Sequence, residues 1–349
     1  MKLLIINNPL PERKHLSDRR FAKMAAILLD AGIYAKLLRI QSLHDLASAI
    51  SSEIPDIIYS AHYYVSGEQN ERISVSAYLE DRNIPFIGSN NDVLELVLAK
   101  GKLKEKWQKA GVPTPVFHQA TANNTSVVIG QISQTHDFPY LLKPNLEGNS
   151  RGLAEDSIVY DFLSLEKKLE ELLPAYKEIL IEKYLGDAPD LREFTVGMIG
   201  NADRMILMPA EIVVKTPKAH RIITTTDKDG HHTRALPVTE TVLREKLKDF
   251  ARQAFTVAGV RDYARCDILM AGGKLYAIEI NGLPMIPDKW FEVCAAGAGL
   301  DERQYIIAIV MEGILRNMKQ SGSCLCLTPR MIQALPKFFW KNMCERFYE

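Results

Sequence analysis

The chain has 349 residues, of which 47% are hydrophobic and 25% charged, enough for two or three domains and a sizeable core. Its 43 basic residues balance 43 acidic ones, so charge offers no case for a nucleic-acid partner, and no apolar stretch reaches membrane-spanning length. Five cysteines without framework spacing point to a reducing compartment, and Met1-Lys2 runs straight into a strand-like segment. A cytoplasmic protein without a signal peptide or membrane contact is expected.

Taken in order, Lys2 to Asn7 reads as a buried strand stopped by Asn8-Pro9-Leu10-Pro11. A helix capped at Ser17-Asp18 carries Phe21, Met24, Ala25, Leu28 and Leu29 at helical spacing and ends at Gly32. Strands near Ile33 to Ile40, Asp56 to Ser60 and Ile84 to Ile87 alternate with helices from Ser42 and over Glu68 to Asp81. That alternation is βαβαβ, an α/β domain with a parallel sheet and ligand loops at Pro9 to Lys14 and His62 to Glu68. It has no dinucleotide GxGxxG fingerprint, which sets aside a nicotinamide enzyme.

Asn91 to Ala110 reads as one helix, followed by a linker at Pro113 and Pro115. Periodicity leaves Val127 to Ile132 open between strand and helix. The strand Tyr140 to Pro144 leads into a glycine-bearing loop, 145–152. A helix near Ser164 to Leu173 and strands at Ile179 to Lys183, Glu193 to Ile199 and Arg204 to Glu211 complete an α+β middle. Lys215 to Arg234 is basic, turn-rich and aperiodic, the pattern of a mobile loop over a site. Adjacent His231 and His232 would point to opposite faces of a strand and read as loop histidines rather than metal ligands. Helices follow over Glu240 to Ala258 and, amphipathic, over Asp301 to Lys319, with an aromatic, basic tail expected to dock on the body.

The most informative stretch is Arg265 to Asn281, two alternating runs around Ala271-Gly272-Gly273 that signal a hairpin. With Gly273 central, Asp267 faces Glu279 and Arg265 faces Asn281, all four on one side. Cys266, Ile268, Met270, Tyr276, Ile278 and Ile280 then form the apolar side. Two carboxylates and an amide oxygen are hard ligands suited to Mg²⁺. Spacing alone leaves a metal face and a solvated face with scattered charges equally open.

Several stretches together resemble the D-alanine–D-alanine ligases of the ATP-grasp superfamily. Lys143-Pro144, Glu147-Gly148-Asn149-Ser150 and Gly152-Leu153 look like their KPxxEGxSxG segment, and Ile181 to Leu185 like their hinge strand. Glu193-Phe194-Thr195-Val196 is similar to the next glutamate motif, and Arg265, Asp267, Glu279 and Asn281 to the RxD…ExN signature. His62…Gly67-Glu68, Ile84 to Ser89, and Lys100 ahead of Trp107 and Ala110-Gly111 extend the match, colinear from about residue 55 to 315.

The resemblance implies an ATP-grasp fold of mixed α/β and α+β class behind an N-terminal parallel α/β domain. The boundaries expected are 1–95, 96–183 and 184–349. It implies a carboxylate–amine ligase forming a peptide or amide bond through an acyl phosphate, with ATP and Mg²⁺ or Mn²⁺ as cofactors. Amino acids would be the substrates, and a homodimer is compatible with it. Catalytic roles fall to Arg265, Glu12 and Ser150. Nucleotide contacts fall to Lys100, Lys143, Glu147, Gly148, Asn149, Ser150, Lys183, the backbone of Glu182 and Leu185 at the adenine edge, Glu193 at the ribose, and a lid lysine, Lys215 or Lys218. Asp267, Glu279 and Asn281 become the metal ligands, and Asp288 and Trp290 fall where substrate contacts belong.

The departures lie in the amino-acid loops. Asn7 to Lys14 lacks the family's glycines and serine, His62 to Glu68 is one residue longer, and Gly282 to Trp290 lacks the donors for a second carboxylate. This implies a ligase for substrates other than two D-alanines. The alternatives are an authentic D-alanine–D-alanine ligase of cell-wall synthesis and an ATP-binding protein without turnover.

Overall fold

The computed structural model describes residues 1–7, 14–69, 71–148, 152–214, 233–321 and 325–344. The first strand, β1 (Lys2–Asn7), is flanked by parallel β2 (Tyr34–Arg39) and β3 (Ile57–Ser60). Its continuous apolar run is explained by burial on both faces. Leu3 and Ile5 meet Phe21, Met24 and Leu28 of helix Lys14–Asp30, while Leu4 and Ile6 meet Leu46 and Leu79 on the other side. Helix Leu43–Glu53 begins as expected at Ser42, whose hydroxyl accepts from the Asp45 N–H in a capping box.

The helix expected over Glu68 to Asp81 is only half present. A hairpin of β4 (Tyr64–Ser66) and β5 (Arg72–Ser74) takes its first half, and Ser74 then caps helix Val75–Asp81. Strand β6 (Phe86–Ile87) completes the parallel sheet in the order β2-β1-β3-β6. Asn91 to Ala110 is likewise two helices, Asn91–Leu98 and Lys100–Lys109, broken at Ala99. Buried Asn145 accepts the Gly101 N–H at 2.7 Å, so a residue 44 positions away satisfies the new helix start.

Strand β7 (Phe117–Thr121) follows the linker at Pro113 and Pro115, and helix Thr125–Thr135 settles the ambiguous segment. With β8 (Tyr140–Pro144), β9 (Ile158–Val159) and β10 (Glu178–Lys183) they form an antiparallel sheet, order β7-β10-β8-β9, backed by helix Phe162–Leu172. The third sheet runs β13-β12-β11-β14-β15, from β11 (Arg192–Gly200), β12 (Ile206–Val214), β13 (Thr233–Pro237), β14 (Asp262–Ala271) and β15 (Lys274–Asn281). Helix Thr241–Ala258 packs Leu247, Ala251 and Phe255 on one face of it.

The other face of this sheet meets helices Lys289–Gly297 and Glu302–Ser321. Glu302–Ser321 is not amphipathic in its middle: every residue from Tyr305 to Leu315 is buried. It lies between the first and third sheets, and Met331, Leu335 and Phe339 of the docked tail close over it. The tail helices are Pro329–Ala334 and Lys337–Cys344. Among the described residues no helix is long and apolar enough to cross a membrane.

Candidate functional site

The hairpin β14–β15 turns at Gly272-Gly273, with φ of 57° and 69°, the left-handed pair that a two-residue turn of this kind needs. Asp190 pins the turn by accepting both glycine N–H groups, at 2.9 and 3.0 Å. Ala271 therefore faces Lys274, and a regular ladder would set Asp267 against Ile278. A bulge between Asp267 and Ile268 absorbs one residue, so Ile268 faces Ala277 while Asp267 faces Glu279 and Arg265 faces Asn281. The expected pairs are present, for a different reason than a turn centred on Gly273. The buried side of β15 is consequently Leu275, Ala277 and Ile280, while Tyr276 and Ile278 are only half-buried.

On the polar side, the Thr195 hydroxyl donates to Asp267 at 2.7 Å. Arg265 donates through Nη1 to Asp288 at 2.8 Å and lies 3.6 Å from Asp267 through Nε, with the Trp290 ring 5.0 Å from its guanidinium carbon. Burial opposes its charge, but Asp267 and Asp288 outweigh that and hold its pKa above the ordinary value. Asp262, three residues before Arg265 on the same strand, is bound instead to Arg316. Asn281 accepts the Leu283 N–H at 3.2 Å. Among the described residues no three His, Cys, Asp or Glu converge as a metal cluster. The donor set is two carboxylates and one amide oxygen on successive same-face positions of one hairpin, hard oxygen ligands that fit a divalent cation such as Mg²⁺.

Facing this hairpin is a group of lysines. Lys100 is buried, donates to the Glu147 carbonyl and lies within the fields of Glu279, Lys143, Glu147 and Glu182. Burial lowers its pKa, with Glu279 the strongest opposing charge. Lys143 on β8 sits 3.2 Å from a Glu182 carboxylate oxygen, and Lys104 sits 2.9 Å from the same oxygen. Burial works against ionising Glu182, yet the two lysines hold its carboxyl below the usual range. Glu182 is thus a buried bridging carboxylate rather than an exposed strand end.

Lys183 turns away from this group: its ammonium meets Asp137 at 2.7 Å and the Phe138 carbonyl at 2.9 Å. Its side chain clamps the start of β8 and is not brought to the lysine cluster. The Leu185 carbonyl, just past β10, accepts the Ala188 N–H. Glu193 begins the face of β11 opposite Ile212 and Leu269, and Glu147 and Gly148 follow β8. Glu12, Asn149, Ser150, Lys215, Lys218, His231 and His232 lie outside the described residues. In the first sheet, His62 Nε2 is 3.1 Å from Asn7 Oδ1 at the carboxyl ends of β1 and β3, and burial pushes its pKa down to about 4.

Three participants escape sequence reasoning: Lys104, Asp190, and Asp288 as the partner of Arg265. Asp190 and Asp288 had no local signal for these contacts. Lys104 did: positions 100, 103, 104 and 107 follow the spacing of a buried helical stripe, and two of the four are lysine.

Comparison with known proteins bears on the family and the fold. The family model described as the D-ala D-ala ligase C-terminus matches residues 106–311. Among curated proteins, the D-alanine–D-alanine ligase of Carboxydothermus hydrogenoformans is 25% identical over 326 residues, covering 90% of this chain and 98% of the relative. That of Stutzerimonas stutzeri is 28% identical over 310 residues, covering 86% and 90%. Among solved structures, the Bacillus anthracis D-alanine–D-alanine ligase complexed with ATP superposes with a TM-score of 0.70 at 21% identity, covering 92% of this chain and all of that one. The VanG D-Ala:D-Ser ligase of Enterococcus faecalis gives 0.68 at 14% identity, covering 90% and 99%; both are likenesses of fold.

Proposed function

This chain belongs to the D-alanine–D-alanine ligase family, and from that premise we propose an ATP-dependent ligase that joins two amino acids through an acyl phosphate. The observation that carries the reading is Lys100, which lies within the field of Glu279 on the hairpin face shared by Asp267 and also within those of Lys143 and Glu182. Phosphoryl transfer needs positioning and charge neutralisation more than covalent help. Lys100 and Lys143 would hold the phosphates of ATP, and backbone N–H groups from Glu147 onward would wrap them. Asp267, Glu279 and Asn281 would hold Mg²⁺ or Mn²⁺, whose charge offsets that of the phosphates.

A substrate carboxylate takes the γ-phosphoryl group, ADP leaves, and the amine of the second substrate attacks the acyl carbon. Arg265 is aimed to stabilise the oxyanion of that tetrahedral intermediate before phosphate departs. We take the domain limits at 95 and 183 as the seams of the site, with the amino acids held between the first and third units. The relatives' names favour D-alanine for both substrates.

A second reading has its own observation. Arg265 already carries Asp288 as a 2.8 Å partner, so a free carboxylate on the acceptor would have to displace it. That favours an acceptor presenting a neutral or cationic group there. The test is incubation with ATP, Mg²⁺ and D-alanine, then with pools of other amino acids and amines, following phosphate release and product mass. A D-alanyl-D-alanine mass establishes the first reading, and a product from another acceptor alone establishes the second. ATP binding without turnover in any pool refutes the ligase.

A further inference from the structure

Lys104 is fully buried, yet it is a lysine. Its ammonium donates to Thr114 Oγ1 at 2.6 Å and lies 2.9 Å from a Glu182 oxygen and 3.5 Å from the Ala277 carbonyl. Thr114 in turn donates to that same carbonyl at 2.7 Å. One charge therefore ties helix Lys100–Lys109 to β10 and to the hairpin strand β15. With no exposed surface, Lys104 cannot touch a nucleotide, and a buried ammonium is costly enough that its retention asks for a role.

The Glu182 oxygen that meets Lys104 also meets Lys143, whose side chain keeps some exposure toward the site. Two positive charges share one negative charge. We propose that Lys104 is a positioning residue which, by taking up part of the Glu182 charge, leaves Lys143 free to act on the phosphates of ATP; this rests on the ligase reading above. Without Lys104, Lys143 and Glu182 would form a closed, neutral pair, and the site would lose one unit of positive charge. Burial brings the Lys104 pKa down to about 8 while Glu182 resists the fall, so the ammonium remains charged at neutral pH.

The test compares wild type, Lys104→Met and Lys104→Met/Glu182→Gln by melting temperature and by KM for ATP and for the amino acids. Lys104→Met is expected to raise the ATP KM by roughly tenfold to fiftyfold, the upper end being the scale of one unit charge at ~7 Å and an effective dielectric constant of ~20. The amino-acid KM should stay unchanged. The double variant restores a singly positive Lys143 and keeps the Glu182 backbone, the part of that residue assigned to the adenine edge, so it should recover most of the ATP affinity, which a merely structural defect would not do. An unchanged ATP KM in Lys104→Met overturns the role, as does a double variant that melts like wild type yet binds ATP as weakly as the single one. If Lys104→Met does not fold, a double variant with an ATP KM tenfold above wild type overturns it as well. Wild-type protein that binds no ATP would instead overturn the ligase reading, and this role with it.

Discussion

The Asp262 carboxylate grips the Arg316 guanidinium side-on, Oδ1 at 2.8 Å from Nε and Oδ2 at 2.7 Å from Nη2. Asp262 has a left-handed φ of 64° and also accepts the Gly88 N–H, while Arg316 reaches the Phe86 carbonyl. One buried pair thus fastens the end of the parallel sheet to the third sheet through helix Glu302–Ser321. Arg316→Met would leave the carboxylate buried and uncompensated. The expected loss is about 3–5 kcal/mol of unfolding free energy, measured by urea denaturation. A loss below ~1 kcal/mol would show that the junction does not depend on this pair.

Glu312 stands beside that junction. Burial pushes its carboxyl up to about 7 from an ordinary 4.5, and Asp262 adds to the rise, while the Asn201 amide at 2.9 Å, Arg204 and Arg316 oppose it. A raised carboxyl means that the native state holds the proton more tightly than the unfolded chain. Its stabilising contribution is therefore full below pH 4.5 and disappears as pH rises through 7. The shift corresponds to roughly 3 kcal/mol. Melting temperatures from pH 4.5 to 8 should fall more steeply for wild type than for Glu312→Gln; parallel curves would contradict this.

Arg265→Met should lower turnover by ~10²–10³ while leaving the KM for ATP nearly unchanged, because the guanidinium acts on the intermediate rather than on the nucleotide. Arg265→Lys should recover little, since an ammonium lacks the planar fork. Steady-state kinetics at saturating amino acid would check both, and a defect confined to the ATP KM would remove Arg265 from the oxyanion role.

Asp288→Asn separates the two acceptor readings. If the acceptor brings a carboxylate to Arg265, removing the competing charge should lower its KM several-fold. If Asp288 instead receives a cationic or hydrogen-bonding group, the KM should rise by roughly tenfold or more, as expected when a half-buried charged hydrogen bond loses its partner. Equal KM values would mean that Asp288 serves only to orient Arg265.

What could be read from the residues alone was whatever a local pattern encodes. Alternation of apolar runs defined the parallel sheet, Ser42 marked a helix start, and two glycines marked the hairpin that carries Arg265, Asp267, Glu279 and Asn281. Failures occurred where a distant partner overrides the local preference. The Lys100–Lys109 helix starts where it does because Asn145 accepts the Gly101 N–H, and Arg72 to Ser74 leave the expected helix to pair with Tyr64 to Ser66.

The site divides in the same way. The order of residues sets which chemical groups are available and, through turn chemistry and period-two alternation, that the hairpin presents its carboxylates on one face. The folded chain settled the register: a bulge at Ile278 keeps those carboxylates opposite one another. It also decided that Arg265 is paired with Asp288 and that Lys104 is buried against Glu182, 78 positions away. Hydrogen-bonded turns and strand periodicity act over a few residues and leave a trace in composition. Charge pairing and burial are set by segments brought together only when the sheets pack, and no window of sequence contains both partners.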